Sequence, residues 1–323
     1  MKRLISFIGA TLLAVMPACA NIAEGVSGDC TWVIDDDGNL SISSESDDAV
    51  LGNWEGDAAP WRNYKEAITT VAFSAPVNAQ TCTYMFNGCT NLSAVYLDNF
   101  YTNEVTDMSY MFANCSSLEV IEIGMTISSL DEDVMMAKGM FNPYRDNFIT
   151  DKVTNMAGMF EGCKSLRSFR LSNLSVRNVN DFRNMFAGCS ALEYMDLSGL
   201  TINKEAKVSE MFANCNKLMN VSNESIFPTE IADGTFISLP TRGVCSVELP
   251  LDCLEDYQAA LGWRHLFVTA DDEMKANSSA LTAINGITEA DSSKEAVFSF
   301  AGERLSAPVK GLNIIDGKKV MVK

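Results

Sequence analysis

The chain has 323 residues, of which 47% are hydrophobic and 20% charged, a composition that excludes a disordered or collagen-like chain. Its 42 acidic and 24 basic residues leave a formal charge of -18, which argues against binding to the phosphate backbone of nucleic acids. A single histidine, His265, excludes zinc sites that need two or more histidine ligands. The 10 cysteines and 17 methionines are many for this length, and most of them belong to one repeated pattern.

Residues 1–20 predict an export signal. A short basic start precedes an apolar run over residues 4–15, and Ala18-Cys19-Ala20 offers a cleavage site. Cleavage there gives a mature chain that begins at Asn21. A lipid anchor on Cys19 is the alternative interpretation. Because no other apolar run reaches the ~18 residues that a membrane span requires, we expect no membrane-spanning segment.

Residues 21–75 predict an N-terminal β cap. Two strand-like stretches, Cys30 to Ile34 and Gly38 to Ile42, are joined by an Asp-Gly pair that favours a hairpin turn. The run of acids at residues 35–37 also suggests a calcium loop. That interpretation fails because a calcium loop with Gly38 in sixth place would put Val33 at the first ligand position.

The middle of the chain is a repeat built on Met-Phe pairs. Five of six pairs continue as Met-Phe-x-x-Cys-x-x-Leu, and the distances between successive Phe residues are 26, 29, 19, 26 and 26. Such self-similarity is typical of solenoids, in which each unit buries its apolar face against its neighbours. The cysteines of the five units are Cys89, Cys115, Cys163, Cys189 and Cys215.

Each repeat shows two periods. Met108, Met111, Phe112 and Cys115 are spaced as one face of a short helix, and Val95 with Leu97 alternates as one face of a strand. A short helix plus a short strand in about 26 residues is the leucine-rich-repeat unit. The sequence therefore predicts an α/β solenoid over residues 76–225, capped at both ends.

The predicted helices also fix an expectation for the cysteines. Stacked helices lie ~8–10 Å apart, beyond the ~7 Å between Cα atoms that a disulfide allows. We therefore expect the five repeat cysteines to be free, buried thiols.

The sixth pair, Met140-Phe141, accounts for the two irregular Phe-to-Phe distances, 29 and 19. A stretch from residue 146 matches residues 98–108 closely, but it follows its Phe seven residues too early. We therefore expect a coil that keeps its helix, over residues 134–141, and lacks its strand. This predicts a notch in the sheet at residues 142–147.

The repeat motif, with Val105-Thr106-Asp107-Met108 before it, resembles the BspA-like leucine-rich-repeat surface proteins of bacteria. The resemblance is strong over residues 81–224. It extends more weakly to the Ala59-Pro60-Trp61 segment and to a closing segment around Trp263. It implies a secreted or cell-surface protein, on the outer surface of a Gram-negative bacterium, that binds a protein or glycan on host or neighbouring cells.

The C-terminal third divides into three segments. Residues 226–270 resemble a C-terminal cap, and residues 271–295 are polar and predict a linker. Residues 296–323 predict a small, basic β segment similar to the sorting segments of Bacteroidales-type secreted proteins. A plain β cap or an interaction tail is the alternative, and Cys245 with Cys253 is a candidate disulfide.

The sequence carries no recognisable catalytic motif. It has no Gly-x-Ser-x-Gly elbow, His265 is interpreted as an exposed or capping residue, and the acids at 131–133 as a solvated loop. We therefore expect a non-enzymatic binding module with no catalytic residue, cofactor or metal. An exported enzyme with a site in the cap or tail, and a structural spacer, are the alternatives.

The open face of the predicted sheet is the expected binding surface. Alternation places one side chain in two toward solvent, and Tyr and Arg are the types most enriched in binding hot spots. The notch should add two further side chains to that face. The candidate partner-binding residues are Tyr96, Glu122, Tyr144, Arg145, Arg170, Tyr194 and Asp196.

Overall fold

The computed structural model describes residues 21–123, 148–171, 174–198, 200–250 and 252–269, and the backbone of four short strands between 297 and 322. The predicted export signal, the helix over 134–141 and the polar linker lie outside the described residues.

The described chain is a solenoid whose coils each carry one short strand. The strands are β1 Ala23–Ser27, β2 Cys30–Ile34, β3 Asn39–Ser44, β4 Thr70–Phe73, β5 Val77–Asn78, β6 Ala94–Tyr96, β7 Phe100–Tyr101, β8 Val120–Glu122, β9 Ser168–Arg170, β10 Tyr194–Asp196, β11 Asn220–Ser222, β12 Ser246–Glu248, β13 Val297–Ser299, β14 Arg304–Leu305, β15 Gly311–Ile315 and β16 Lys318–Val322. A six-stranded sheet has the order β1-β2-β3-β4-β6-β8, a four-stranded parallel sheet has the order β9-β10-β11-β12, and β5 pairs with β7. A separate antiparallel sheet of order β14-β13-β15-β16 lies in the C-terminal segment.

Helix is scarce in the described chain. One α-helix, α1 (Leu254–Ala259), and the 3-10 helix Trp263–Phe267 close the C-terminal end, and a second 3-10 helix, Arg62–Tyr64, lies near the N-terminal end. The described part of the chain has no helix that is long and apolar enough to cross a membrane. The 26-residue leucine-rich-repeat solenoid is thus confirmed, but its coils are built almost entirely from strands and turns.

The predicted short helix is wrong for the five described Met-Phe segments, because they form consecutive turns. The residue before each repeat cysteine has a positive φ, for example 76° at Gly88 and 60° at Asn114. A right-handed helix cannot continue through a left-handed residue, and Gly and Asn are the types that adopt this conformation most readily. The turns still bury the expected side chains, since Met108, Met111, Phe112 and Cys115 are all 0% exposed.

Hydrogen bonds join the coils along these turns as well as along the strands. Within the turns, successive backbone amides alternate in their acceptors. One donates to a carbonyl of its own coil, and the next donates to a carbonyl of the following coil. The amide of Asn87 donates to the carbonyl of Tyr84 (3.1 Å), whereas the amide of Phe86 donates to the carbonyl of Met111 (2.8 Å). Coils whose strands pair are therefore bonded to each other on both the strand side and the turn side, which fixes the register of the stack.

A column of aromatic rings forms the centre of the core. Each ring stacks on the ring of the next coil, with centroids 5.5–5.7 Å apart and interplanar angles of 2–18° between Trp61 and Phe236. The last ring, Trp263, meets Phe236 at 5.6 Å with a 43° tilt and ends the column. The column consists of Trp61, Phe86, Phe112, Phe160, Phe186, Phe212, Phe236 and Trp263.

The structure stacks the coil of Phe112 directly on the coil of Phe160. The amides of Met108, Tyr110 and Phe112 donate to the carbonyls of Asn155, Ala157 and Met159, each at 2.9 Å. No coil lies between them, so the interpretation of Met140-Phe141 as a strandless coil of the stack is wrong. The interval from Met111 to Met159 is instead one 26-residue coil with 22 additional residues, 124–145.

The predicted break in the sheet lies where expected, for a different reason. Among the described strands, β8 pairs with β6 and β9 pairs with β10, and the ladder is interrupted between them. The turn side is continuous across this point, as shown by the bridge between Asp107 and Asn155. The break is therefore a seam on the strand side only, between the strands that flank the additional residues in the sequence.

The cysteines are free and buried, but the distance argument for this is wrong. Consecutive coils lie about 5 Å apart, as parallel strands do, and not at the 8–10 Å of packed helices. The thiols of Cys115, Cys163, Cys189 and Cys215 donate to the Phe carbonyl of the preceding coil at 3.1–3.2 Å. Burial raises the pKa of the thiols of Cys89, Cys163 and Cys215 to about 12, which keeps them protonated and unreactive. Cys245 is a free thiol, so the candidate disulfide between Cys245 and Cys253 is not formed.

Removing residues 124–145 should close the seam. The deletion joins Ile123 to Asp146 in the way that Leu97 joins Asp98 in the preceding coil. We expect β8 and β9 to pair and the free energy of unfolding to rise by about 1–3 kcal/mol, from a few new backbone hydrogen bonds. Denaturant unfolding and hydrogen exchange of the amides of β8 and β9 measure this.

A deletion of the same length, residues 108–129, is the control, because it removes Phe112 from the ring column and should abolish folding. A less stable 124–145 deletion, or one whose β8 and β9 amides exchange as fast as before, would contradict the direct stacking of the two coils.

The buried thiols should make the protein lose stability in alkali. A thiol with a raised pKa keeps its proton in the folded state and releases it in the unfolded state, so its stabilisation is complete below about pH 9 and declines toward pH 12. Above about pH 9, each such thiol lowers the free energy of unfolding by roughly 1.4 kcal/mol per pH unit. Replacing Cys163→Ser keeps a donor for the Phe112 carbonyl and removes one titrating proton. Urea unfolding between pH 8 and pH 11 should show a shallower slope for this variant.

Ser190→Ala, which removes no titrating group, is the matched control for Cys163→Ser. It should shift the stability curve without changing its slope. If the two variants show equal slopes, the thiols do not hold their protons in the folded protein.

Candidate binding face

Alternation along the strands divides core from open face as predicted. Val95 and Leu97 are both 0% exposed, whereas Tyr96 between them is 38% exposed. Of the other candidates, Glu122 and Arg170 are exposed, and Tyr194 and Asp196 are half-buried. The structure therefore places all five of the described candidates on the open face. Tyr144 and Arg145 lie outside the described residues.

Tyr96 stands on the six-stranded sheet among shorter neighbours. The register of β4, β6 and β8 aligns Ala72, Tyr96 and Glu122 in one row across the strands. Ser41 of β3 continues the row beyond Ala72. Because the side chains on that flank are small, the Tyr96 ring is accessible from the side as well as from above. Glu122 places a carboxylate beside the ring at the strand next to the seam.

The four-stranded sheet carries a more polar part of the face. Arg170, Asp196, Ser222 and Glu248 align in one row, and the guanidinium of Arg170 belongs to the strand next to the seam. The hydroxyl groups of Tyr194 and Ser222 are hydrogen-bonded at 2.7 Å, which keeps the Tyr194 side chain close to the surface of the sheet. Asp196 accepts a hydrogen bond from the amide of Ser198 at 2.9 Å. Tyr194 and Asp196 are therefore partly engaged within the chain, and Tyr96 and Arg170 project further.

The seam divides the candidate residues into two groups. Tyr96 and Glu122 lie on the six-stranded sheet, and Arg170, Tyr194 and Asp196 lie on the four-stranded sheet. The described strands form two ladders separated between Glu122 and Arg170, at the break in the sheet described above. A ligand that contacts both groups must therefore span the seam.

His265 belongs to the C-terminal cap and is 6% exposed. Its Nε2 lies 3.0 Å from a carboxylate oxygen of Asp233, and Arg264 donates to the other oxygen at 2.8 Å. Burial alone would raise the pKa of Asp233, but the hydrogen bond from His265 and the charges of His265 and Arg264 together lower it. The cluster ties the closing 3-10 helix to the last coil. Across the described ranges, no group of three or more His, Cys, Asp or Glu side chains is arranged to hold a metal ion.

Sequence reasoning missed an exposed apolar pair at the C-terminal end of the face. Ile226 and Phe227 are 61% and 77% exposed in the loop that follows β11. The sequence signal was present, because Asn223 breaks the apolar pattern of the strand and the next ring, Phe236, follows Phe212 by 24 residues instead of 26. The loop departs from the repeat at this point.

Fold and face together define a leucine-rich-repeat solenoid with an open, solvent-facing sheet. The sequence matches the family model described as "Mycoplasma protein of unknown function, DUF285" over residues 66–143 and 128–230. These matches together cover residues 66–230, which is more than half of the chain, and the chain belongs to this family. No curated protein matches the chain significantly in sequence.

Two solved structures are similar to this chain at low identity. A leucine rich cell surface protein from Faecalibacterium prausnitzii A2-165 shares 15% identity with a TM-score of 0.30, covering 62% of this chain and 54% of that one. A leucine-rich repeat protein from Eubacterium ventriosum ATCC 27560 shares 15% identity with a TM-score of 0.26, covering 71% of this chain and 72% of that one. The chain thus spans about half the length of the Faecalibacterium protein.

Proposed function

We propose that this chain is an exported, cell-surface binding protein that presents the open face of its solenoid to a protein or glycan partner. The observation that carries the proposal is the placement of Tyr96 and Arg170, both exposed on strands whose backbones are held in parallel ladders. A rigid backbone loses little conformational entropy on binding, and Tyr and Arg are the residue types that most often dominate binding energy. The proposal includes no catalytic role.

Export is supported by the start of the sequence and is compatible with the cysteines. The basic start, the apolar run and Ala18-Cys19-Ala20 are typical of a cleaved signal, with a lipid anchor on Cys19 as the alternative. The five repeat cysteines are free thiols, which is unusual for an oxidising compartment. Here the repeat thiols are buried and their raised pKa keeps the reactive thiolate scarce, so they resist oxidation outside the cytoplasm.

The family resemblance noted from the repeat motif suggests the setting of this binding. BspA-like proteins lead us to place the chain on the outer surface of a Gram-negative bacterium, with ligands on host or neighbouring cells. A structural spacer is the competing function. An experiment separates a binding protein from a spacer. In a binding protein, substitutions on one face weaken the affinity for a specific partner, whereas a spacer has no such face.

Replacing Tyr96→Ala together with Arg170→Ala should weaken binding to any partner identified on a glycan and protein array. If both side chains are hot spots, the loss exceeds about 2 kcal/mol, or roughly 30-fold in Kd. Biolayer interferometry with the purified mature chain measures this. Both side chains are exposed, so the double variant should retain the melting temperature of the unmodified protein.

Charge reversal on the turn side is the matched control. Glu205→Lys with Glu210→Lys changes exposed residues away from the sheet and should leave the affinity within about twofold. Unchanged affinity of the Tyr96/Arg170 variant, together with lost affinity of the turn-side variant, would show that the sheet is not the binding face.

A further inference from the structure

The loop between β11 and the last coil presents two large apolar side chains to solvent. Ile226 and Phe227, here called the apolar knob, are 61% and 77% exposed, and Phe227 is the most exposed large hydrophobic residue of the described chain. This exposure is not a general property of the coils. In the preceding coil, the corresponding loop buries its apolar residues, with Leu200 at 3% and Ile202 at 2%.

The backbone around the apolar knob is held on both sides. Before it, the carbonyl of Ser225 accepts a hydrogen bond from the hydroxyl of Tyr257 at 2.8 Å. After it, the carbonyl of Thr229 accepts one from the indole nitrogen of Trp263, also at 2.8 Å. Tyr257 and Trp263 are themselves 0% and 1% exposed. The core of the cap therefore fixes the loop while its two apolar side chains point outward.

A fixed, solvent-exposed apolar pair has the character of a binding hot spot. Burying an apolar side chain of this size against a partner is favourable because it removes apolar surface from water. The entropic cost of ordering the loop is small because the fold has already ordered it. The knob follows the carboxyl end of β11 in the chain, and β11 pairs with β10 in the sheet whose open face carries Arg170 and Asp196.

The surroundings of the knob are acidic. Glu224 lies two residues before Ile226, and the carbonyl of Glu248 on the neighbouring strand accepts a hydrogen bond from the amide of Asn223 at 3.0 Å. Both carboxylate side chains are exposed. The nearby Lys204 is paired with Glu230 across adjacent coils, so its charge is locally balanced. The segment that holds the loop from the other side adds three exposed acids, Asp252, Glu255 and Asp256.

We propose that the apolar knob is a docking element for a partner protein whose surface combines apolar side chains with lysine or arginine. This inference rests on the proposed function, because it names the partner class for the same open face. Apolar burial supplies affinity, and the acidic rim selects a basic surface and repels an acidic one. The rim also disfavours an anionic membrane surface, which would repel the same carboxylates.

Two 20-residue amphipathic helical peptides provide defined probes. Both have a leucine face, and they differ only in whether the polar face is lysine or glutamate. The full mature chain should bind the lysine peptide at least about tenfold more tightly than the glutamate peptide, and added salt should weaken this binding. Equal binding of the two peptides, or no measurable binding of the lysine peptide, overturns the proposal.

The variant Ile226→Ser with Phe227→Ser separates the knob from general charge attraction, because it leaves the net charge unchanged. It should weaken binding of the lysine peptide by about tenfold or more, which corresponds to about 1.4 kcal/mol. Val26→Ser is the matched control, since Val26 is 71% exposed at the opposite end of the solenoid. It should change the affinity less than twofold. Equal effects of the two variants overturn the proposal.

Two further measurements distinguish protein docking at the knob from lipid binding and from binding elsewhere on the open face. Sedimentation with phosphatidylcholine–phosphatidylglycerol vesicles that depends on Phe227 would overturn the proposal in favour of a lipid surface. For an array partner, loss of binding in the Tyr96/Arg170 variant but not in the knob variant overturns this inference and leaves the proposed function standing. Loss in neither variant overturns both.

Discussion

The structure depends on the stacking of identical side chains at the spacing of a parallel β ladder. Aromatic rings of consecutive coils lie 5.5–5.7 Å apart from Trp61 to Phe236, close to the separation of their backbones. Because each coil rests on a copy of itself, a side chain of another size at the ring position leaves a void or a clash on both faces. This constraint explains why Met, Phe, Cys and Leu recur at fixed places while the outward positions vary.

The repeat, its 26-residue period and its buried positions were predictable from sequence, because stacked units must bury the same side chains. The helix was not, since a spacing of i, i+3, i+4, i+7 is satisfied both by a helix and by two consecutive turns. The residue before each cysteine carried the distinguishing information. Gly88, Gly162 and Gly188, with Asn114 and Asn214, all have positive φ, and such residues inside every predicted helix should have indicated turns.

The seam and the binding face show where sequence reasoning reached its limit. Strand alternation placed Tyr96 and Arg170 correctly, because period two is a local property of the chain. Whether β8 and β9 would pair was not local. It depended on whether another coil lay between those of Phe112 and Phe160, and only the hydrogen bond from the amide of Phe112 to the carbonyl of Met159 shows that the two coils stack directly. The apolar knob lies in a stretch that departs from the repeat. The repeat pattern therefore could not predict whether its side chains are buried or exposed.

A double-mutant cycle within the ring column tests the central claim most directly. Phe112→Leu and Phe160→Leu alter rings in contact at 5.7 Å, whereas Phe86→Leu and Phe212→Leu alter rings separated by three others. If the stack is held by contacts between nearest neighbours, the first pair should show a coupling of about 0.5–1.5 kcal/mol in the free energy of unfolding. The second pair should be additive within about 0.5 kcal/mol. Additivity in the first pair, or equal coupling in both, would contradict the account.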